Sequence, residues 1–208
     1  MAQYHDAVCR HCRREGTKLF LKGEKCFTHC TLDRRATPPG MHTQVRRRKV
    51  SDYGIQLRAK QRARRIYFLL ENQFARYVER ASQMSGVTGL NLLRLLETRL
   101  DNVVYRVGFA ASRRDARQIV SHRHITVNGQ IVNIPSYSVR VGDIVAVNSS
   151  SKEVERIKTA LDVGEQRPVV PWLSLDKDNM TAKCTAQPGR DDMDATIQEQ
   201  LIVEFYSR

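Results

Sequence analysis

The sequence has no long apolar segment and few aromatic residues, and each absence narrows what the protein can be. Nowhere do about 18 consecutive apolar residues occur, and the first residues, Met-Ala-Gln-Tyr-His-Asp, continue without an apolar stretch. Aromatic residues make up only 7% of the chain, and no basic amphipathic stripe is flanked by Trp and Phe, as a membrane-surface helix would require. We therefore predict a cytoplasmic protein with no membrane partner.

Acidic residues are scarce at the N-terminal end. The first 65 residues hold 17 of the 35 Lys and Arg but only 5 of the 22 Asp and Glu. Because the rest of the chain is almost neutral, the formal net charge of +13 is one localised positive field. Such a field predicts a polyanionic partner, and nucleic acid fits it better than a membrane does.

Four of the five cysteines form two close pairs in this basic segment. Two residues separate Cys9 from Cys12, and three separate Cys26 from Cys30. The spacing predicts one structural zinc ion held by four thiolates, with no open coordination position for hydrolysis. An iron–sulfur cluster in the same ligands is the alternative, whereas disulfides are disfavoured in a reducing cytosol. Cys184 stands alone and is interpreted as a buried apolar residue.

Apolar periodicity predicts helices followed by short strands. Helices are expected over residues 51–65, 71–84, 88–107, 113–122 and 151–161. The pair Asn128-Gly129 between alternating apolar residues predicts a hairpin, and further strands are expected over 144–147, 172–175, 181–185 and 201–206. The expected fold class is α+β, with a mainly helical body, an N-terminal zinc-stabilised arm and a small α/β RNA-binding module of two helices on a short antiparallel sheet. The expected domains are the arm over 1–45, the helical body over 46–97 completed by 164–208, and the module over 98–163.

Two basic surfaces are predicted to contact RNA. The first surface begins with the basic run after the arm and continues along one face of the helix 51–65, where these cations have no acidic partners within the helix. Its residues are Arg46, Arg47, Arg48, Lys49, Arg58, Lys60, Arg62, Arg64 and Arg65. The second surface is the outer face of the capped helix 113–122, which is expected to be all Arg, with the hairpin after it. Its residues are Arg113, Arg114, Arg117, His122, Arg123, His124 and Asn128. An Arg side chain can donate two hydrogen bonds to one phosphate and can stack on a base, and both contacts suit structured RNA. No aromatic pair occurs on the strands, so recognition is expected to rely on shape and backbone.

His122 and His124 are the residues in this region that acid–base catalysis could use. No paired acid and base accompanies them, and no open site of His and carboxylate ligands is present. We therefore predict that the protein is not an enzyme, has no catalytic residues and takes no small-molecule substrate.

Four stretches resemble the bacterial small-subunit ribosomal protein S-four family in its zinc-binding form. They are residues 9–30, 51–67, the motifs between 99 and 143, and 171–176 with 199–208. The third stretch is similar to a small RNA-binding module that also occurs on pseudouridine synthases and tyrosyl-tRNA synthetases. The other three make the resemblance to the ribosomal family specific.

The resemblance implies a structural constituent of the small ribosomal subunit. It implies a primary binder of small-subunit rRNA that nucleates assembly of the subunit body and contributes to translational accuracy. Implied partners are neighbouring small-subunit proteins, mRNA where it enters the subunit and, in some members, the protein's own operon mRNA. An RNA chaperone or translational regulator with the same module is the alternative. An RNA-modifying enzyme is disfavoured, since no segment remains for a catalytic domain.

Two positions depart from the family pattern. Cys26 and Cys30 are one residue closer together than in zinc-bearing relatives. Arg123 stands where many relatives have Gly, and in a left-handed backbone conformation Arg costs roughly 1 kcal/mol relative to Gly. A phosphate contact made by Arg123 could offset that cost.

Overall fold

The computed structural model describes residue 4 and residues 6–40, 49–164 and 170–207. These residues form two compact units, the first containing the residues up to Leu92 and those from Ala195 onward, the second Leu93–Asp194. The predicted α+β class is confirmed. The division differs from the expected domains, because the described residues 170–194 belong to the second unit and not to the helical body.

Helices precede most of the strands, as the periodicity predicts. In chain order the described helices are α1 (Cys9–Glu15), α2 (Lys25–Thr28), α3 (Thr31–Arg34), α4 (Asp52–Ile66), α5 (Glu71–Gln83), α6 (Thr88–Glu97), α7 (Leu100–Val107), α8 (Arg113–Ser121), α9 (Glu155–Gly164) and α10 (Glu199–Tyr206). The described strands are β1 (Ile125–Val127), β2 (Gln130–Ile131), β3 (Ile144–Val147), β4 (Leu173–Asp176) and β5 (Thr181–Cys184). None of the helices in this part of the chain has the length and apolarity needed to span a membrane.

The single helix predicted over residues 88–107 is wrong, because the chain breaks between α6 and α7. Arg99 takes an extended conformation with ψ 137° and forms an isolated bridge with Ser138. Its guanidinium pairs with Asp101 in the protein interior, Nε to Oδ1 at 3.0 Å. The buried ion pair and the bridge account for the break. Apolar residues continue on both sides of it, so the periodicity of the sequence does not reveal where the helix ends.

The strand predicted over residues 201–206 is also wrong, since this segment is the helix α10. Alternating apolar residues over so short a run do not separate strand from helix. α10 packs on α4, where the Gln56 amide donates to Glu204 at 3.0 Å and the rings of Tyr53 and Phe205 lie 5.6 Å apart. Ile202 is completely buried. The C-terminal segment therefore completes the first unit as a helix.

The second unit is built on a five-stranded antiparallel sheet with the order β2-β1-β3-β5-β4. α7 packs on α8, and the apolar core of the unit includes Leu100, Phe109, Val120 and Trp172. The predicted module of two helices and a small sheet is thus extended by β4 and β5. This extension explains why the stretch after residue 170 belongs to the second unit.

The hairpin between β1 and β2 follows its sequence signal. Asn128 and Gly129 both have positive φ, 51° and 81°, which is the geometry of the turn that Asn-Gly favours. The turn places Val127 opposite Gln130. On its other edge β1 pairs with β3, where Ile125 lies opposite Val147.

Candidate RNA-binding surfaces and thiolate site

Lys60, predicted to contact RNA, is buried within the first unit. It is 6% exposed, its Nζ lies 2.6 Å from Glu71 Oε1, and it sits 4.5 Å from the centre of the Phe205 ring. Arg64 Nη1 lies 3.1 Å from the other oxygen of Glu71, and the Tyr206 hydroxyl donates to Oε1 at 2.9 Å. Glu71 therefore ties α4, α5 and α10 together, and Lys60 has a structural role.

The ionisation of this cluster follows from its packing. Burial works to raise the pKa of Glu71, but the hydrogen bonds from Lys60 and Tyr206 outweigh it and leave the pKa below its usual value. Burial, with the bond to Glu71, raises the pKa of Tyr206 far above the usual range for tyrosine. The carboxylate is thus charged and the phenol neutral around neutral pH.

Arg58 and Arg65 share a second carboxylate, that of Glu15 in α1. Glu15 is 1% exposed in its side chain, and Arg58 Nη1 lies 3.2 Å from its Oε1, while Arg65 pairs with the same oxygen. Burial lowers the pKa of Arg65 and the Glu15 charge opposes that shift, so the guanidinium stays protonated at neutral pH. The sequence indicates no acidic partners for these cations within the helix itself, and the structure supplies them from α1 and α5.

The remaining residues of the first predicted surface have different outcomes. Arg62 is half-buried and donates from Nη1 to the Thr196 carbonyl at 3.4 Å. Lys49 is exposed. Arg46, Arg47 and Arg48 lie outside the described residues. RNA contact by this surface stays a prediction, and it now rests on the residues of the surface that are exposed or half-buried.

The capped helix α8 forms as predicted. The Ser112 hydroxyl accepts from the Asp115 amide at 3.3 Å, and the Asp115 carboxylate accepts from the Ala111 amide at 3.0 Å. Arg114 is exposed. The prediction of an all-Arg outer face is wrong for Arg117, which is 5% exposed. Because α8 packs on α7 and buries five of its nine residues, its open face is narrower than the helical wheel indicates.

Arg113 is held in place by residues that the sequence did not single out. Its guanidinium carbon lies 4.5 Å from the centre of the Tyr105 ring, and its Nε donates to Asn102 Oδ1 at 2.7 Å. The Asn102 amide nitrogen donates in turn to the fully buried Glu97 carboxylate at 2.6 Å. Since both donors of that amide face Glu97, its oxygen is fixed toward Arg113.

The turn after α8 carries an exposed cationic group. Arg123 has φ 66° and is exposed, as is His122. His124 is half-buried, and its Nδ1 lies 2.8 Å from the Ser151 hydroxyl. The left-handed conformation at position 123 explains why Gly fits there, and an Arg at this position projects a charge at the cost of backbone strain.

Asn128, the last residue of the second predicted surface, is exposed but fixes the sheet. Its amide donates to Asp143 Oδ1 at 2.9 Å, and its oxygen accepts from the Ile144 amide at 2.9 Å. Both bonds join the hairpin turn to the start of β3. Asn128 therefore positions the turn, and its contact with RNA stays a prediction.

The four cysteines of the basic arm border one cavity of about 70 Å³. All are free thiols. The Lys22 amide donates to Cys26 Sγ at 3.2 Å, and burial, with the neighbouring thiolates, raises the pKa of Cys26. No group of three or more His, Cys, Asp or Glu in the described residues is arranged to hold a metal ion. The donor set nonetheless fits a soft cation, because four cysteine sulfurs, one buried and three partly exposed, are the ligands of a structural zinc site.

Comparisons with known proteins match two consecutive parts of the chain and the chain as a whole. A family model described as the ribosomal protein S4/S9 N-terminal domain matches residues 3–97, and an S4 domain model matches residues 98–145. Small ribosomal subunit protein uS4 of Pelotomaculum thermopropionicum is 57% identical over 209 residues, and uS4A of Symbiobacterium thermophilum is 59% identical over 209. Both matches cover 100% of this chain and 100% of the relative. The chain belongs to the uS4 family.

Membership confirms the resemblance to the ribosomal family, while its zinc-binding form stays a prediction, and the uS4 relatives match from end to end. The uS4 protein of Natranaerobius thermophilus, for example, is 54% identical over 209 residues and 100% of both chains. The S4 domain match begins at the break between α6 and α7 and includes α8, β1 and β2. The exposed Arg114 and Arg123 therefore lie within the S4 domain.

Proposed function

We propose that this chain is a structural constituent of the small ribosomal subunit that binds small-subunit rRNA and contacts neighbouring ribosomal proteins. The single observation that carries the proposal is the end-to-end match, at 57% and 59% identity, to proteins named for the small ribosomal subunit. The localised positive charge supports it. The role needs no catalytic centre and takes place in the cytoplasm, on the ribosome.

The RNA-facing surface that we propose for the second unit is narrower than the sequence predicts. It consists of Arg114, His122 and Arg123, with Arg113 beside them. Arg113 is oriented by Tyr105 and Asn102, so part of the entropy of ordering an Arg is already lost before RNA binds. In the first unit, Lys49 and the basic run before it are proposed to lie along phosphates.

We also propose that Cys9, Cys12, Cys26 and Cys30 hold one structural zinc ion. Support comes from their shared cavity and the amide bond to Cys26 Sγ. Native mass spectrometry should show about one zinc, lost on chelation, with the segment before residue 45 becoming protease-sensitive. A colourless metal-loaded protein would separate zinc from an iron–sulfur cluster. An apo protein with an equally protected arm would refute the site.

The finer roles follow from the family and are proposed with it. They are early binding that nucleates assembly of the subunit body, a contribution to translational accuracy, and contact with mRNA where it enters the subunit. Binding to the protein's own operon mRNA is a further proposal. Each of these depends on the rRNA contact.

Nuclease footprinting of the intact protein on naked small-subunit rRNA tests the proposal directly. We expect one compact protected junction. Co-sedimentation in high salt separates the alternative, because a ribosomal protein stays with the small subunit and an RNA chaperone or regulator washes off. A scattered, salt-labile footprint would contradict the structural role.

A further inference from the structure

Two phenylalanines of the arm stack on each other at the protein surface. The ring centroids of Phe20 and Phe27 lie 5.0 Å apart, with the ring planes 28° from parallel. Phe20 is 37% exposed and Phe27 is 61% exposed. Phe27 has one face covered by its neighbour and most of its surface in water, so its other face is open to solvent.

The backbone holds the pair outward. Phe20 has φ 50°, in the left-handed region that bulky residues rarely adopt. Its neighbours Leu19 and Leu21 are 3% and 7% exposed, so the chain is anchored on both sides while the ring between them faces water. Strain of this kind persists where the surrounding structure fixes it, and it is often found at binding sites.

Exposed lysines accompany the two rings. Lys22 and Lys25 lie between Phe20 and Phe27 in the sequence, and both are exposed, together with one acidic residue, Glu24. The backbone of Lys22 is fixed by its bond to Cys26 Sγ at 3.2 Å. The surrounding arm is strongly basic. An open aromatic face beside cations is complementary to a base with its phosphates.

We propose that Phe27, backed by Phe20, is a stacking platform for one unpaired nucleobase of RNA, with Lys22 and Lys25 near the adjoining phosphates. The proposal rests on the proposed function, that the chain binds small-subunit rRNA. It adds a contact to single-stranded RNA that the strands of the second unit, which lack an aromatic pair, do not provide. An aliphatic contact would use the apolar area of the ring and would not need its π face.

Three substitutions at one position separate these two uses of the ring. Phe27→Ala removes it, Phe27→Leu keeps apolar volume without a π face, and Phe27→Trp enlarges the π face. Val87→Ala, at another exposed apolar residue of the same unit, which is 70% exposed, is the matched control. The probe is full-length small-subunit rRNA transcribed in vitro, and the readout is the dissociation constant of the intact protein.

We expect the Ala and Leu variants to bind on the order of 10-fold more weakly, with the Trp variant and the control unchanged or tighter. Full affinity in the Leu variant with a loss in the Ala variant would overturn the stacking proposal, because apolar volume at this position would then be enough for binding. Unchanged affinity in all variants would overturn it while the proposed function stands. If the wild-type chain itself does not bind this rRNA, the proposed function fails first.

Fluorescence of the Phe27→Trp variant gives a second test that does not depend on losing affinity. The native Trp172 is 2% exposed, and its signal is subtracted with the wild-type protein. We expect the single-stranded oligonucleotide r(A)12 to quench the new Trp, because the base stacks on it, and heparin at equal charge to leave it unchanged. Equal quenching by both, or by neither, would overturn the proposal.

Discussion

The basic helices α4 and α8 look alike in the sequence, but the structure uses their cations differently. On α4, the carboxylates of Glu15 and Glu71 pair with four cations that the sequence presents as one open face. On α8 and the turn after it, Arg114 and Arg123 are exposed. Their outward charge remains for a partner.

The difference shows that a run of Lys and Arg does not by itself define a binding surface. Removing one partner of a buried ion pair leaves an uncompensated charge, whereas removing an exposed cation mainly changes the field that attracts RNA. Variants of α4 and its partners should therefore change stability, and variants of Arg114 on α8 and Arg123 after it should change RNA affinity.

The largest effect is expected for Glu15→Gln. Glu15 is 1% exposed in its side chain and neutralises Arg58 and Arg65, so its loss should lower the free energy of unfolding by about 3 kcal/mol. Urea unfolding measures this change. Glu24→Gln, at an exposed acidic residue of the same arm, is the control and should change stability by less than about 0.5 kcal/mol. Equal effects of the two variants would contradict the pairing.

Glu71→Gln should have a smaller, pH-dependent effect. At neutral pH we expect a loss of about 2 kcal/mol, below the ~3–5 kcal/mol of a fully buried pair because the Glu71 side chain is 40% exposed. The lowered pKa of Glu71 contributes stability above its unfolded-state pKa, and this contribution disappears as the pH falls through the folded-state pKa. The difference between wild type and variant should therefore shrink in acid.

Urea unfolding of both proteins between pH 7 and pH 3 checks this prediction. Glu79→Gln, at an exposed residue of the same helix, should run parallel to the wild type over the whole range. A Glu71→Gln difference that stays constant with pH would show that the carboxylate is not the source of the stability.

Arg114→Ala should weaken RNA binding without unfolding the protein. Arg114 is exposed on α8, so removing one phosphate contact should reduce the salt dependence of binding by about one unit of log–log slope and the affinity several-fold. Stability should stay within about 0.5 kcal/mol of the wild type. Lys158→Ala, whose cation is already paired with Glu153 at 2.7 Å, should change the slope less. Equal slopes for wild type and Arg114→Ala would remove α8 from the interface.

Arg123→Gly should change stability with the opposite sign to the two Glu→Gln variants. Because position 123 has φ 66°, Gly should raise the free energy of unfolding by about 1 kcal/mol while binding to rRNA weakens. Arg123→Ala removes the same charge but keeps the strain, so it should weaken binding without stabilising. Thermal unfolding of the two variants separates strain from charge, and equal stability of Gly and Ala would contradict the strain.

Local features of the sequence predicted local features of the structure. The Ser51 and Ser112 side chains cap α4 and α8, and the Asn128-Gly129 hairpin formed, because each feature depends on residues a few positions apart. The sequence pattern did not predict the break between α6 and α7, because the break depends on the bridge between Arg99 and Ser138, which are far apart in the sequence.

The sequence predicted the residue types of the candidate site, but not which of these residues pair or are buried inside the protein and which remain exposed. Glu15 pairs with Arg58 at a separation of 43 residues, and no helical wheel of α4 contains that partner. The burial of Arg117 depends on the packing of α8 against α7. Asn102 and Tyr105 had no sequence signal as positioning residues, because their role exists only once α7 and α8 are packed.

The most direct test measures rRNA affinity and stability together, in the intact protein carrying either Glu15→Gln or the combined changes Arg114→Ala, His122→Ala and Arg123→Ala. Under conditions where both are folded, we expect the combined variant to lose affinity for small-subunit rRNA and keep its stability, and the Glu15 variant to do the reverse. Full affinity in the combined variant, with a loss in the Glu15 variant, would contradict the account.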